Sequence, residues 1–174
     1  MKLSKIKALC KSAKNLVIFN ELTPDGELRA QWVSDGQGMY PLAGMPTVTP
    51  EQMKSILDLK DVNTRTENLP VKFRGRLDRT ADMETLTEML IVLRARGASL
   101  WPLQTEAGEV VLINEARIAP FFSSDTIFTL IRSEAGNWAA GYNGFACAGI
   151  VPANGPELLS PMEAQALREI VNAL

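Results

Sequence analysis

QWVSDGQGMYPL, Gln31 to Leu42, is the stretch on which the fold reading turns. Leu28, Ala30 and Trp32 alternate with Arg29, Gln31 and Val33, the period-2 pattern of a half-buried strand. Ser34-Asp35-Gly36 and Gly38 then close a tight turn, because Asp bonds its own backbone and Gly accepts positive φ. Met39-Tyr40-Pro41-Leu42 reads as extended, since a proline disfavours helix in the residue before it. Pro41 cannot donate to a ladder, so this second strand is expected at a sheet edge. Trp32, Asp35 and Tyr40 would then form a surface lip. The competing arrangement, a hairpin whose aromatics face the core, is the commoner one.

Upstream, Leu3, Ile6, Leu9, Cys10 and Ala13 recur at helical spacing, which predicts an amphipathic helix over Lys2 to Lys14. Lys7, Lys11 and Lys14 make one positive stripe on its polar side. Leu16 to Phe19 is a buried-strand run, and Thr23-Pro24-Asp25-Gly26 turns it back into the Leu28 strand. Downstream, Thr49-Pro50-Glu51-Gln52 predicts a helix start, with Thr as N-cap, Pro at N1 and Gln completing a capping box.

Asp61 to Arg79 shows no period and is expected to be a long polar loop. Within it, Lys72, Arg74 and Arg76 alternate around Phe73. If extended, the three cations share one side, in the manner of single-stranded nucleic-acid sites; a charged edge strand that blocks aggregation would look the same. Ala81 to Arg96 reads as the longest helix: Leu86, Met89, Leu90 and Leu93 form a stripe, and Gly97 ends it. Ser99 to Leu103 and Val110 to Ile113 are strands around a Glu106-Ala107-Gly108 turn. Asp125 to Arg132, Trp138 to Tyr142 and Phe145 to Val151 form a three-stranded meander, its second turn marked by Asn143-Gly144. Ser160-Pro161-Met162-Glu163 caps a last helix whose buried face is Ala164, Leu167, Ile170, Val171 and Leu174.

The 174 residues are 46% hydrophobic and 22% charged, the composition of a globular chain. The expected class is α+β: antiparallel hairpins and a meander packed with about four helices, in a single domain over 1–174. A weak two-half organisation, 1–60 and 80–174 joined by 61–79, is suggested by the echo of Met39-Tyr40-Pro41-Leu42 in Leu100-Trp101-Pro102-Leu103. No apolar run is long enough for a membrane helix. The N-terminus has no signal-peptide core, so a cytoplasmic setting without membrane contact is expected.

The chain has no histidine, which removes Ser-His-Asp, Cys-His and imidazole-base catalysis. Two lone cysteines without histidine give no ordinary zinc site, and neither metal nor cofactor is expected. Asp35-Gly36-Gln37-Gly38 lacks the Gly-Lys-Ser/Thr of a phosphate loop. Charge is uneven: residues 1–96 carry 15 basic and 12 acidic side chains, and 97–174 carry 3 and 8. Nine of the 18 basic residues fall in Lys2–Lys14 and Lys72–Arg79. If these meet in space, they form a patch for several phosphates.

The opening MKLSKIKALC, then QWVSDGQGMYPL and GMPTVTPEQMKSILDLKD, together resemble small uncharacterised proteins carried by bacterial prophages and related mobile elements. The resemblance covers the first third of the chain. It implies a bacterial intracellular setting near phage DNA metabolism and carries over no site residue. Helices over antiparallel strands with a duplication also look like the building unit of sliding clamps.

The leading expectation is a non-catalytic binding protein that meets nucleic acid, or a DNA-metabolism protein, through Lys7, Lys11, Lys14, Lys72, Phe73, Arg74 and Arg76. The second is a protein–protein module or homodimer using an edge near Tyr40-Pro41 or the Trp138 meander. The third is a carboxylate enzyme centred on Asp35 beside Trp32 and Tyr40, although no catalytic residue is named by any motif.

Overall fold

The computed structural model describes residues 1–80, 82–89 and 91–173. The chain runs α1 (Leu3–Ala13), β1 (Asn15–Leu22), β2 (Leu28–Ser34), β3 (Met39–Pro41), α2 (Pro50–Ile56) and β4 (Asn63–Asn68). It continues with β5 (Thr85–Glu88), β6 (Leu93–Ala95), β7 (Ala98–Thr105), β8 (Val110–Asn114) and α3 (Glu115–Ile118). It ends with β9 (Thr126–Ile131), β10 (Asn137–Asn143), β11 (Ala146–Asn154) and α4 (Pro161–Ala173). Two 3-10 turns lie at Val71–Phe73 and Pro156–Leu158. None of the described helices is long and apolar enough to cross a membrane.

The local signals of caps and turns form as their chemistry requires. The Thr49 hydroxyl accepts from the Gln52 amide at 3.2 Å, and the Gln52 side chain accepts from the Thr49 amide at 2.7 Å. Ser160 and Glu163 make the same reciprocal pair at the head of α4. These bonds satisfy amides that the first helical turn leaves without partners. The turn at Thr23–Gly26 joins β1 to β2, and the meander β9-β10-β11 is present.

Among the described residues, eleven strands hydrogen-bond into one sheet, antiparallel everywhere except between β1 and β4. β10 pairs with β9 on one side and β11 on the other, so the path β10-β9-β5-β7-β8-β11 returns to its start. Six strands close as a fully antiparallel ring because their number is even. Closure removes the edges that an open sheet would expose. From β11 the sheet branches through β3, β2 and β1 to β4.

The ring is filled by Leu86, Leu103, Val111, Phe128, Leu130 and Val151, with Phe121 inserted from the turn after α3. Gly141 and Gly149 face each other on β10 and β11. They leave room for the Phe121 ring: a Cβ on Gly149 would lie 2.5 Å from Phe121 Cε1. The branch sheet is covered on both faces. Leu16 and Ile18 of β1 pack with Ile6 and Cys10 of α1 and Met53 of α2. Val17 and Phe19 pack the opposite way, with Leu69 and Phe73. α4 lays Leu167 on Leu100 and Leu112, on the outer wall of the ring.

The structure corrects three expectations. Ala81 to Arg96 is not a helix: it supplies β5 and β6, with Ala81 and Leu90 lying outside the described residues, as does Leu174. Leu86 fills the ring, and the Arg96-Gly97 pair, read as a helix end, is the two-residue turn between β6 and β7. Both residues have positive φ, 49° and 76°. A helix C-terminus and a tight hairpin of the primed type make the same left-handed demand, so the local signal is shared. Asp61 to Arg79 is not a structureless loop, since β4 runs parallel to β1 within it. β4 is almost wholly exposed, so it carries no apolar alternation to read. Finally, β3 is not an edge: it lies between β2 and β11. Its bond to β2 continues from the Leu42 amide to the Gln31 carbonyl, 2.8 Å. Its contact with β11 is the single pair Met39–Ile150, so Pro41 falls where that ladder has already ended.

Candidate functional site

The two basic stretches do not meet. α1 lies on the Leu16/Ile18 face of the branch sheet and the Val71–Phe73 turn on the Val17/Phe19 face. On α1, Lys7 pairs with Asp58 at 3.0 Å, while Lys11 and Lys14 are exposed. In the second stretch Val71–Phe73 is a 3-10 turn, so the extended alternation that would line the three cations along one side of a strand is not formed. Lys72 sits 4.7 Å from the Trp138 ring centroid and 4.9 Å from that of Phe73, a cation–π arrangement that holds it down. Phe73 is buried edge-on against Trp138 and has no free face for a base. Arg74 is exposed, with Nε 3.4 Å from the Leu69 carbonyl. Arg76 is half-buried, and its carbonyl accepts the Tyr142 hydroxyl at 3.1 Å.

Trp32, Asp35 and Tyr40 are all buried, so the surface lip is absent and the aromatics belong to the core. They also point apart, Trp32 into the Phe19/Phe73 cluster and Tyr40 into that of Val33 and Phe121. Burial pushes the Tyr40 hydroxyl well above the usual phenol range, with the nearby Asp35 charge adding to the effect. Trp32 donates to Glu21 at 3.2 Å, a buried carboxylate that the sequence reading missed. Glu21 also accepts from the Gly75 amide at 3.0 Å and from Arg29 at 3.4 Å, which ties the 69–79 segment to the sheet.

Asp35 is fully engaged. One carboxylate oxygen accepts from the amides of Gln37 and Gly38, at 3.1 and 2.9 Å, and closes the turn. The other receives Arg117 at 2.8 Å, a bond spanning 82 positions of sequence. The Arg117 carbonyl in turn accepts the Tyr40 hydroxyl at 3.0 Å. Arg117 is therefore held at both its backbone and its guanidinium, and one charge-assisted bond uses only part of its five-donor fork.

Arg117 lines a cleft of about 410 Å³ on the outer wall of the ring. Arg96 from the β6–β7 turn, Gln37 from the β2–β3 turn, Asn114 at the end of β8 and Asn154 at the end of β11 join it. Leu100 and Pro152 form the apolar part. Two cations and three amides over an apolar floor suit an anionic group that needs hydrogen bonds. Glu163 lies within electrostatic range of Arg96 at one side. None of these five polar residues was named as a site from sequence. They come from five separate segments, and Arg96 is fully accounted for locally as a turn residue.

Among the described residues, no three His, Cys, Asp or Glu side chains gather as a metal site. No family model matches the chain, and no curated protein or solved structure matches it significantly.

Proposed function

We propose that the protein is a non-catalytic binding protein of a prophage-type element whose partner is nucleic acid, engaged through a phosphate in the Arg117 cleft. One observation carries the reading. Arg117 is fixed by buried Asp35 at 2.8 Å and shares a cleft with Arg96 and three side-chain amides. A guanidinium fork already held in place loses little freedom on gripping a phosphate. The basic stretches contribute less to this reading than they did in sequence, because they lie on opposite faces and two of their members are occupied in the fold.

The test is fluorescence anisotropy with a labelled single-stranded oligonucleotide at two salt concentrations. Arg96→Gln changes an exposed side chain. It is expected to weaken binding and to reduce the slope of log affinity against log salt by about 1. The triple change Lys7→Gln, Lys11→Gln, Lys14→Gln is expected to leave both nearly unchanged. Absence of binding at low salt, or loss on the lysine variant alone, overturns the assignment to this cleft.

A further inference from the structure

We infer that β4 is a self-complementary edge that pairs two copies of this chain about a two-fold axis centred on Thr66. This inference is independent of the nucleic-acid reading. Ring closure leaves β4 as the terminal strand of the sheet path, bonded to β1 on one side with no second neighbour among the described strands. Such a row of unpaired amides and carbonyls is a template for another strand unless something blocks it.

The backbone fixes which residues face outward. The Asn63 amide donates inward to the Lys14 carbonyl at 3.1 Å, and the Leu69 amide donates inward to Asn20 at 2.8 Å. Odd-numbered residues therefore bond to β1. Thr64, Thr66 and Asn68 turn their amides and carbonyls to the open edge. An antiparallel partner must match outward residues to outward residues, because directly opposed pairs exchange both bonds. The numbers of paired residues then sum to an even value, which leaves three registers with substantial overlap.

Charge separates these three. Centred on Thr66, Arg65 lies opposite Glu67 of the second copy and Glu67 opposite its Arg65. Thr66 faces Thr66, and Thr64 faces Asn68. Shifted one way, Arg65 opposes Arg65; shifted the other way, Glu67 opposes Glu67. Opposite charges directly across an antiparallel pair stabilise it and like charges oppose it. Arg65 and Glu67 already form an ion pair within one strand, so both sit on one face, the side of Val17 and Phe19. Both are about half exposed, with side-chain accessibilities of 49% and 44%, and are free to reach across. Charges on an edge ordinarily prevent association, but here their order +, Thr, − reads the same way from either copy. The interface is a single strand pair, so the dimer is weak and concentration-dependent.

The experiment is sedimentation velocity on the full chain over a wide concentration range, with two single reversals and their mixture. Arg65→Glu gives a strand with two acidic positions, and Glu67→Arg gives one with two basic positions. Each alone opposes like charges twice across the axis and is expected to self-associate about tenfold more weakly than the parent or worse. An equimolar mixture restores both opposite pairs and is expected to associate at least as well as the parent. The double reversal in one chain does the same by itself. Arg65 also donates to Asn15 at 2.7 Å, so Glu67→Arg, which leaves that bond, is the cleaner single change. A parent chain that stays monomeric throughout overturns the proposal. So does a single reversal that self-associates like the parent, or a mixture that associates no better than its components.

Discussion

Gly149→Ala is the sharpest probe of the closed ring. The substituted methyl would stand 2.5 Å from Phe121 Cε1 and 3.1 Å from Tyr40 Cδ1, inside normal contact distance. Phe121 is buried and is hemmed on its other side by Gly141, whose own Cβ would lie 3.1 Å from Phe121 Cζ. Sliding away from the new methyl therefore drives the ring against Gly141. Overpacking of this kind costs about 1–3 kcal/mol. The φ of Gly149 is not in the left-handed region. Alanine thus gains back about 0.4–1 kcal/mol through the unfolded chain. The expected net loss is about 1–2 kcal/mol, or a fall in Tm of about 2–8 °C for a chain of this size. Phe121→Leu alone is expected to destabilise by leaving a cavity. Together the two changes relieve each other, because the smaller side chain vacates the space the methyl needs. The pair should therefore be less destabilised than the sum of the single changes by about 1 kcal/mol. Urea unfolding followed by circular dichroism at constant m measures all four proteins. Additivity within about 0.5 kcal/mol would refute the claim that the Phe121 ring rests on the glycine pair.

Two further expectations concern buried chemistry. Arg117→Met leaves the Asp35 carboxylate buried without its cation and is expected to cost about 3–5 kcal/mol. Asp35→Asn keeps an oxygen for the turn amides and should cost less, and the reverse order in urea unfolding would contradict the assigned roles. Burial pushes the Cys10 and Cys147 thiols and the Tyr142 hydroxyl each up to about 12. The unfolded chain gives up these protons first, at about pH 9 for the thiols and 10 for the tyrosine. Stability is thus fully present below about pH 9 and is lost as pH rises toward about 12, by about 1.4 kcal/mol per pH unit for each titrating group. Guanidinium unfolding between pH 8 and 11 checks this; a flat profile would contradict it, and replacing both cysteines by alanine should shallow the slope.

Sequence alone determined the features whose cause is local. α1, the capping boxes of α2 and α4, the Thr23–Gly26 turn and the β9-β10-β11 meander were legible because each rests on residues a few positions apart. The α+β class with a largely antiparallel sheet follows from the same signals. What tertiary structure decided is the rest. β5 and β6 carry apolar residues at spacings that also suit a helix, and only the vacancy between β7 and β9 makes Thr85–Glu88 a wall strand. β4 has no apolar burial pattern because it lies almost wholly exposed at the end of the sheet, and its strand state comes from the amides and carbonyls of β1, some 50 positions earlier. The cleft was hidden for the same reason: Arg117 meets Asp35 across 82 positions, and Arg96 arrives on a turn whose local signal is that of a helix end. Neighbouring residues write the turns and caps, but ring closure and its outer cleft depend on pairings between distant strands, which no local pattern encodes.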